Sequence, residues 1–367
     1  MIPPVTPGID GVKRGRTNVR IPLAVAASLA ALVAFMFVVL SLAGYSPLHA
    51  VLALWGGSVG SWYSISSATL VRAIPLMLTG CAVAVAFRAG AFNVGAEGQL
   101  LVGAAAAAGV ALSLPHSGRS GVALALVAGA LAGSGWAGIA AWLRVRFGVL
   151  EVISTIMLNF VALHGVSYLV RGPLQEPTRI YPQSPSIAQS LQLSRFTGAG
   201  RLHTGMIMAI VLLIATGWIF RYAAAGFRLR SVGENPIASA SAGLIDVDKT
   251  ITWALLCSGA LAGLAGGIEV LGVTYALYEN ISPGYGYTAI AVALLASLDP
   301  WRIVLSATLF AALEAGASAM QRDANIPASF VSIIEALLIL AVIATQAIRL
   351  RAGTSLVRSR GDVATSE

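Results

Sequence analysis

Phe92-Asn93-Val94-Gly95-Ala96-Glu97-Gly98-Gln99-Leu100-Leu101-Val102-Gly103 sets a carboxylate, two amides and three glycines at the head of an apolar run. The surrounding chain of 367 residues is 57% hydrophobic and only 10% charged, with a mean hydropathy of +0.83. So few polar groups cannot clothe a soluble domain, and the composition is that of an integral membrane protein. In such a protein a polar, glycine-broken stretch is tolerated only where it is buried in protein or lines a wet cavity.

A membrane-crossing helix needs about 20 mainly apolar residues to cover roughly 30 Å of hydrocarbon. Working outward from 92–112, the pattern predicts further spans near 21–43, 69–87, 120–143, 150–170, 204–220, 250–272, 285–298, 303–320 and 328–348. The expected fold is thus an all-α membrane protein of about ten helices, with 285–298 too short to cross unless tilted or broken. Residues 47–66 carry Trp55, Trp62 and Tyr63 among Gly and Ser, which suits a helix at the outer interface.

With the N-terminus inside, sixteen of the 23 basic residues fall in inner loops, which predicts cytoplasmic N- and C-termini. The net charge of +8 follows from that topology and from anionic lipid, with nucleic acid the weaker explanation. The run Ile21–Ala43 exceeds a signal peptide's apolar region of about 7–15 residues and reads as a first span. Cys81 and Cys257 have neither disulfide nor metal spacing, and no cofactor is expected.

The expected organisation is a cytoplasmic tail over 1–20, a permeation domain over 21–350 and a second cytoplasmic tail over 351–367. Residues 171–203, rich in Pro and Ser, form an outer loop suited to an extracytoplasmic partner. Residues 221–250 form an inner loop. Within it Asn235-Pro236 starts a helix of about two turns and Gly243 stops it. That helix is either a linker or a coupling element seated on a cytoplasmic ATPase. Small residues such as Ala238 permit close approach, and Arg228 and Arg230 offer charged rim contacts.

Spans two to five and seven to ten are two sets of four offset by five crossings, so the second set is inverted relative to the first. Phe92–Leu101 and Tyr285–Leu294 occupy matching places as interrupted helix heads. Paired interrupted helices of this kind point to a permeation site where half-helix N-termini present free amides to a ligand.

Four ordered motifs then carry a resemblance: Phe92–Leu101, Glu151–Asn159, Val232-Gly233-Glu234-Asn235-Pro236 with Ala242-Gly243, and Gly284–Leu295. Over about residues 70–345 the chain resembles the permease subunits of bacterial ABC importers for nucleosides and simple sugars. The resemblance implies a multi-pass permease of the inner membrane that is not itself an enzyme. It also implies an ATPase on separate cytoplasmic subunits, a second permease as heterodimer partner and an extracytoplasmic binding lipoprotein. The Phe-Asn-x-Gly-x-Glu-Gly-Gln form is similar to the larger of two paired permeases. The lysines, Lys13 and Lys249, lie in no phosphate-cradling loop. Gly233, Glu234, Asn235, Pro236, Ala238 and Gly243, with Arg228 and Arg230, are the expected coupling residues, although Ile237-Ala238-Ser239 lacks the acidic start of the general ABC loop.

Phe92, Asn93, Glu97, Gln99, Ser154, Asn159, Tyr285 and Tyr287 are the expected pathway residues. The amides could bind ribose or tie helices together, Glu97 could brace the broken helix or meet substrate, and the aromatics could stack on a base or pack in the interior. Glu97, Glu269, Glu314 and Glu335 keep a proton- or sodium-coupled carrier open as the alternative function, but such a carrier has no need of the 221–250 loop. An intramembrane hydrolase is disfavoured because His164 stands alone in its span.

Overall fold

A computed structural model describes residue 34 and residues 37–198, 200–241, 243, 245–327, 330, 332, 333 and 336. The expected first and last spans and both tails lie wholly or mostly outside these. The chain divides into two compact units. One, Met1–Pro47 with Ala336–Glu367, is described mainly over 37–47, where a helical segment ends before Gly44 at φ +82°. The other, Leu48–Glu335, carries everything that follows.

Its helices are α1 (Pro47–Ser58), α2 (Leu70–Arg88), α3 (Ala96–Ser113), α4 (Gly118–Phe147), α5 (Glu151–Arg171), α6 (Gly205–Tyr222), α7 (Ala224–Glu234), α8 (Pro236–Ser241), α9 (Val247–Glu269), α10 (Tyr285–Leu295) and α11 (Pro300–Asp323). A π-helical turn, Ser64–Thr69, leads into α2, and another, Val270–Thr274, extends α9. Seven helices among the described residues are long and apolar enough to cross a membrane. The eleven residues of α10 reach only about 16 Å, so this helix starts inside the bundle and does not cross it. The twelve residues of α1 are also too few for a crossing.

Helix ends follow local chemistry. Gly148 ends α4 in the left-handed region at φ +66°, after Arg144 and Arg146 have placed cations in the last turn. Asp246 caps α9 by accepting the Lys249 N–H, and Asp299 caps α11 by accepting the Trp301 N–H at 2.9 Å with Pro300 in the first turn.

The core is a helix cluster in which α9 packs against α4, α3 and α2. Two Gly-x-x-x-Gly pairs make the approach of α4 and α9 possible: a Cβ on Gly263 would overlap Gly129 O and lie 2.9 Å from Gly133 Cα. The two interrupted helices pack across the bundle, α3 against α9 and α10 against α2.

Candidate transport site

The chain from Ala91 to Gly95 is not helical, so α3 starts only at Ala96, and Gly284 at φ +102° precedes α10. The two heads meet. The Gly286 N–H donates to Glu97 Oε2 at 2.7 Å, and a Cβ on Gly286 would lie 2.7 Å from Ala96 C and overlap Glu97 N. Glu97 therefore sits in the first turn of α3 and against the first turn of α10, where two helix dipoles favour a negative charge or an acceptor.

The remaining groups at this junction are bonded within the protein. Asn93 and Gln99 form a reciprocal amide pair, both contacts at 3.0 Å; Asn93 Oδ1 also accepts the Gly95 N–H, and its Nδ2 donates to Ser258 Oγ at 2.8 Å. Asn159 on α5 accepts the Gly98 N–H at 2.8 Å and donates to Val94 O at 3.0 Å and to the Tyr287 hydroxyl at 3.3 Å. Ser282 Oγ accepts the Gly284 and Tyr285 N–H groups. Glu151 pairs with Arg144 at 2.7 Å and accepts the Phe92 N–H at 3.3 Å. Ser154 and Thr155 return their hydroxyls to the Glu151 carbonyl.

This wiring corrects the expectation that the half-helices offer free amides to a ligand. The N–H groups of Gly98, Tyr285 and Gly286 are already taken by Asn159, Ser282 and Glu97. An unpartnered amide in a low-dielectric interior costs about 1–3 kcal/mol, which explains why side chains fill these positions. Asn93, Glu97, Gln99, Ser154, Asn159 and Tyr285 are all buried, whereas Phe92 is 53% and Tyr287 46% exposed. Both exposed rings border α5, whose outward stripe runs through Ile153, Met157, Phe160, Val161, His164 and Tyr168. That stripe, together with Glu151, Ser258 and Ser282, escaped the motif-based expectation; its spacing of three and four residues was the available signal.

Residues 224–241 fold as α7 and α8. Asn235 Oδ1 accepts the Ala238 N–H at 2.9 Å, Pro236 begins α8, and Gly243 follows it at φ +70°. Ile237 and Ala238 are exposed on α8, and Glu234 ends α7. Arg228 is exposed and lines an apolar cavity of about 680 Å³ between α6, α7 and α9. Gly233 abuts the end of α2, where a Cβ would overlap Arg88 O and lie 3.2 Å from Gly90 N. Its neighbour Val232 is buried with Ala86, Ala91, Ala141, Ile251 and Leu255.

At the C-terminal end of α5, Arg171 pairs with Glu279 at 2.7 Å, and that carboxylate also accepts the Ser167 hydroxyl at 2.6 Å. These partners hold the Glu279 pKa below the usual carboxylate range. The loop after α5 follows the segment before α10 through Ser184–Leu277 and Ile187–Tyr275 backbone bonds. His203 is fully buried in that loop, and burial, then the charges of Arg195 and Arg201, lower its pKa to about 4.

The profile of the permease component of branched-chain amino acid transport systems matches residues 65–343. The chain belongs to this family. The permease is 40% identical to the guanosine ABC transporter permease protein NupP of Bacillus subtilis, over 85% of its own length and 90% of that relative. It is 36% identical to the glucose ABC transporter permease protein TsgB13 of Haloferax volcanii, over 80% of each chain. It is 33% identical to the nucleoside ABC transporter permease protein NupB of Lactococcus lactis, over 81% and 83%. It is accordingly an ABC importer permease subunit, a multi-pass protein of the inner membrane.

Proposed function

We propose that this permease passes a nucleoside through a cavity between two permease subunits, walled on this chain by the outward stripe of α5 with Phe92 and Tyr287 beside it. The observation that carries this reading is the contrast at the helix junction: two exposed aromatic rings over a backbone whose Gly98, Tyr285 and Gly286 amides are already bonded. Aromatic faces stack on bases at about 1–3 kcal/mol each without demanding tight polar contacts, which suits a pathway that must release its cargo. Asn93, Glu97, Gln99, Ser154, Asn159 and Tyr285 hold that wall in place. NupP and NupB carry guanosine and nucleosides by name, and TsgB13 keeps glucose as the second cargo.

The finer architecture belongs to the same proposal. About ten spans, both termini cytoplasmic, tails over 1–20 and 351–367, an outer loop over 171–203 and an inner loop over 221–250 agree with the distribution of basic residues. A separate ATPase drives α8 through Glu234, Asn235, Pro236, Ala238 and Gly243. Gly233 passes the movement to the end of α2, and the two halves rock in alternating access. Arg228 and Arg230 shape the seat of α7. A second permease, in a heterodimer, and a binding lipoprotein complete the importer.

The test is guanosine uptake by proteoliposomes holding the permease pair, ATPase and binding protein. Uptake needs ATP, and Phe92→Ala raises the apparent KM about tenfold. Uptake driven by an ion gradient without the ATPase overturns the reading. Competition by glucose and not by guanosine selects the second cargo.

A further inference from the structure

Where α2 and α6 end and α11 begins, Arg88, Arg221 and Arg230 converge with Phe220, Asp299 and Trp301 around a cavity of about 220 Å³. The ion pairs among the described residues are Arg144–Glu151, Arg171–Glu279, Lys249–Asp246 and Arg322–Asp323, so none of the three guanidiniums is neutralised by one. Asp299 is the acidic residue in the lining, against three guanidiniums, and Glu234 at the end of α7 is a further negative charge that acts on Arg88. One Asp299 oxygen is already committed to the Trp301 N–H. Arg88 lies over the Phe220 ring at 5.1 Å from its centroid.

Guanidinium forks match phosphate geometry, and basic pockets between helices at a membrane edge are where acidic headgroups bind. What lies beside the cations decides between a phosphate on a lipid and a carboxylate on a protein. Trp301 is 54% exposed at the edge, with its indole against Gly217. Further into the bundle α11 exposes Leu305 and Leu309, and α6 exposes Trp218 and Ile214. The order of cations, then an indole, then an apolar seam is the order of phosphate, interface and acyl chains in a phospholipid. An acidic side chain of an ATPase answers the charge and leaves the seam unexplained.

We propose that this pocket holds the phosphate of an anionic phospholipid whose acyl chains lie along the seam of α6 and α11. The inference does not depend on which face is cytoplasmic, because three helix ends define one edge of the bundle on either orientation. The site has a consequence for motion: Arg88 closes α2 at the point where Gly233 of α7 abuts it, and Arg230 comes from α7 itself. A bound lipid therefore ties the coupling loop to the bundle.

The experiment uses the importer complex in nanodiscs of phosphatidylcholine with increasing phosphatidylglycerol, following the thermal midpoint and the lipid that co-purifies. Wild type is expected to be stabilised by phosphatidylglycerol and to retain it. Arg221→Gln and Arg230→Gln each raise the fraction needed for half the effect about fivefold, the equivalent of about 1 kcal/mol per basic residue near a surface, while Arg221→Lys retains part of the effect. Three results overturn the proposal: equal phosphatidylglycerol retention by wild type and both Gln variants; the same stabilisation from inorganic phosphate in phosphatidylcholine discs; or loss of the ATPase from Arg221→Gln in lipid-free detergent, which makes the guanidinium a protein contact.

Discussion

Replacing Gly286 by Ala tests the junction of the two interrupted helices directly. The new Cβ would overlap Glu97 N and lie 2.7 Å from Ala96 C, both backbone atoms that cannot turn aside. Overpacking a tight interior costs about 1–3 kcal/mol. Moving α10 far enough to relieve it breaks the 2.7 Å bond from Gly286 N–H to Glu97 Oε2. A buried donor stripped of its partner adds about 1–3 kcal/mol, for a total of roughly 2–6 kcal/mol. At roughly 2–4 °C per kcal/mol, the thermal midpoint in detergent should fall by roughly 4–24 °C. Glu97→Gln keeps an acceptor in the same place and should cost less than Gly286→Ala. Transport kinetics separate a brace from a substrate contact: if Glu97 braces, both variants lower maximal uptake with the apparent KM unchanged. Gly286→Ala with a wild-type midpoint and wild-type uptake would refute the packing argument. A raised KM at unchanged stability for Glu97→Gln would return the carboxylate to the pathway.

Gly233→Val should leave ATP hydrolysis in place while uptake per ATP falls about two- to thirtyfold, the range of coupling changes along a packed network, because its Cβ would overlap Arg88 O. Gly263→Ala should already lower the thermal midpoint by the equivalent of about 1–3 kcal/mol, because its Cβ would overlap the Gly129 backbone oxygen, and Gly263→Leu should lower it further as α9 is levered off α4. His203 predicts a pH dependence of stability. Unfolded, it binds a proton below 6.5, whereas folded it does so only near 4, so stability is full above 6.5 and declines as pH falls towards 4. The loss reaches about 3 kcal/mol, and His203→Gln should flatten the midpoint-versus-pH curve over that interval.

Helix positions were legible because the bilayer imposes one length on every crossing and one polarity on its middle. The short reach of α10 was visible for the same reason: 285–298 held too few apolar residues. The start and stop of α8 were visible where Pro236 and Gly243 carry backbone preferences of their own. The function of the junction was harder to read. Asn93, Gln99 and Asn159 have the same composition whether they bind a sugar or satisfy stranded amides, and only their partners separate the two. Those partners, Ser258 and Tyr287, lie 165 and 128 residues away in sequence. The α5 stripe went unseen for a different reason. In a chain this apolar, an exposed Ile or Met leaves no contrast against its background, and only His164 and Tyr168 mark the face. The Gly129–Gly133 and Gly259–Gly263 pairs, by contrast, were fully present in the sequence and are a signal of helix contact in membranes.

On the proposed function, Gly233 would connect the 221–250 loop to the pathway through a short series of rigid contacts. α8 is too short to carry force by itself, and its partner α7 is fixed by Val232 in a cluster that includes Ala86 of α2 and Ala91 just before the interrupted head. From Ala91 the chain reaches Phe92, whose N–H is tied to Glu151, and Asn93, whose amide is locked to Gln99. A push on α7 cannot be absorbed by rotamer changes at Gly233, because backbone meets backbone there with no side chain between. It must move the 88–93 segment as a body, and with it Phe92, the exposed ring at the cavity wall. On the proposed coupling route, the polar wiring that takes up the Gly98, Tyr285 and Gly286 amides gives the loop a lever: the same bonds stiffen the junction enough to turn movement at α7 into movement at Phe92.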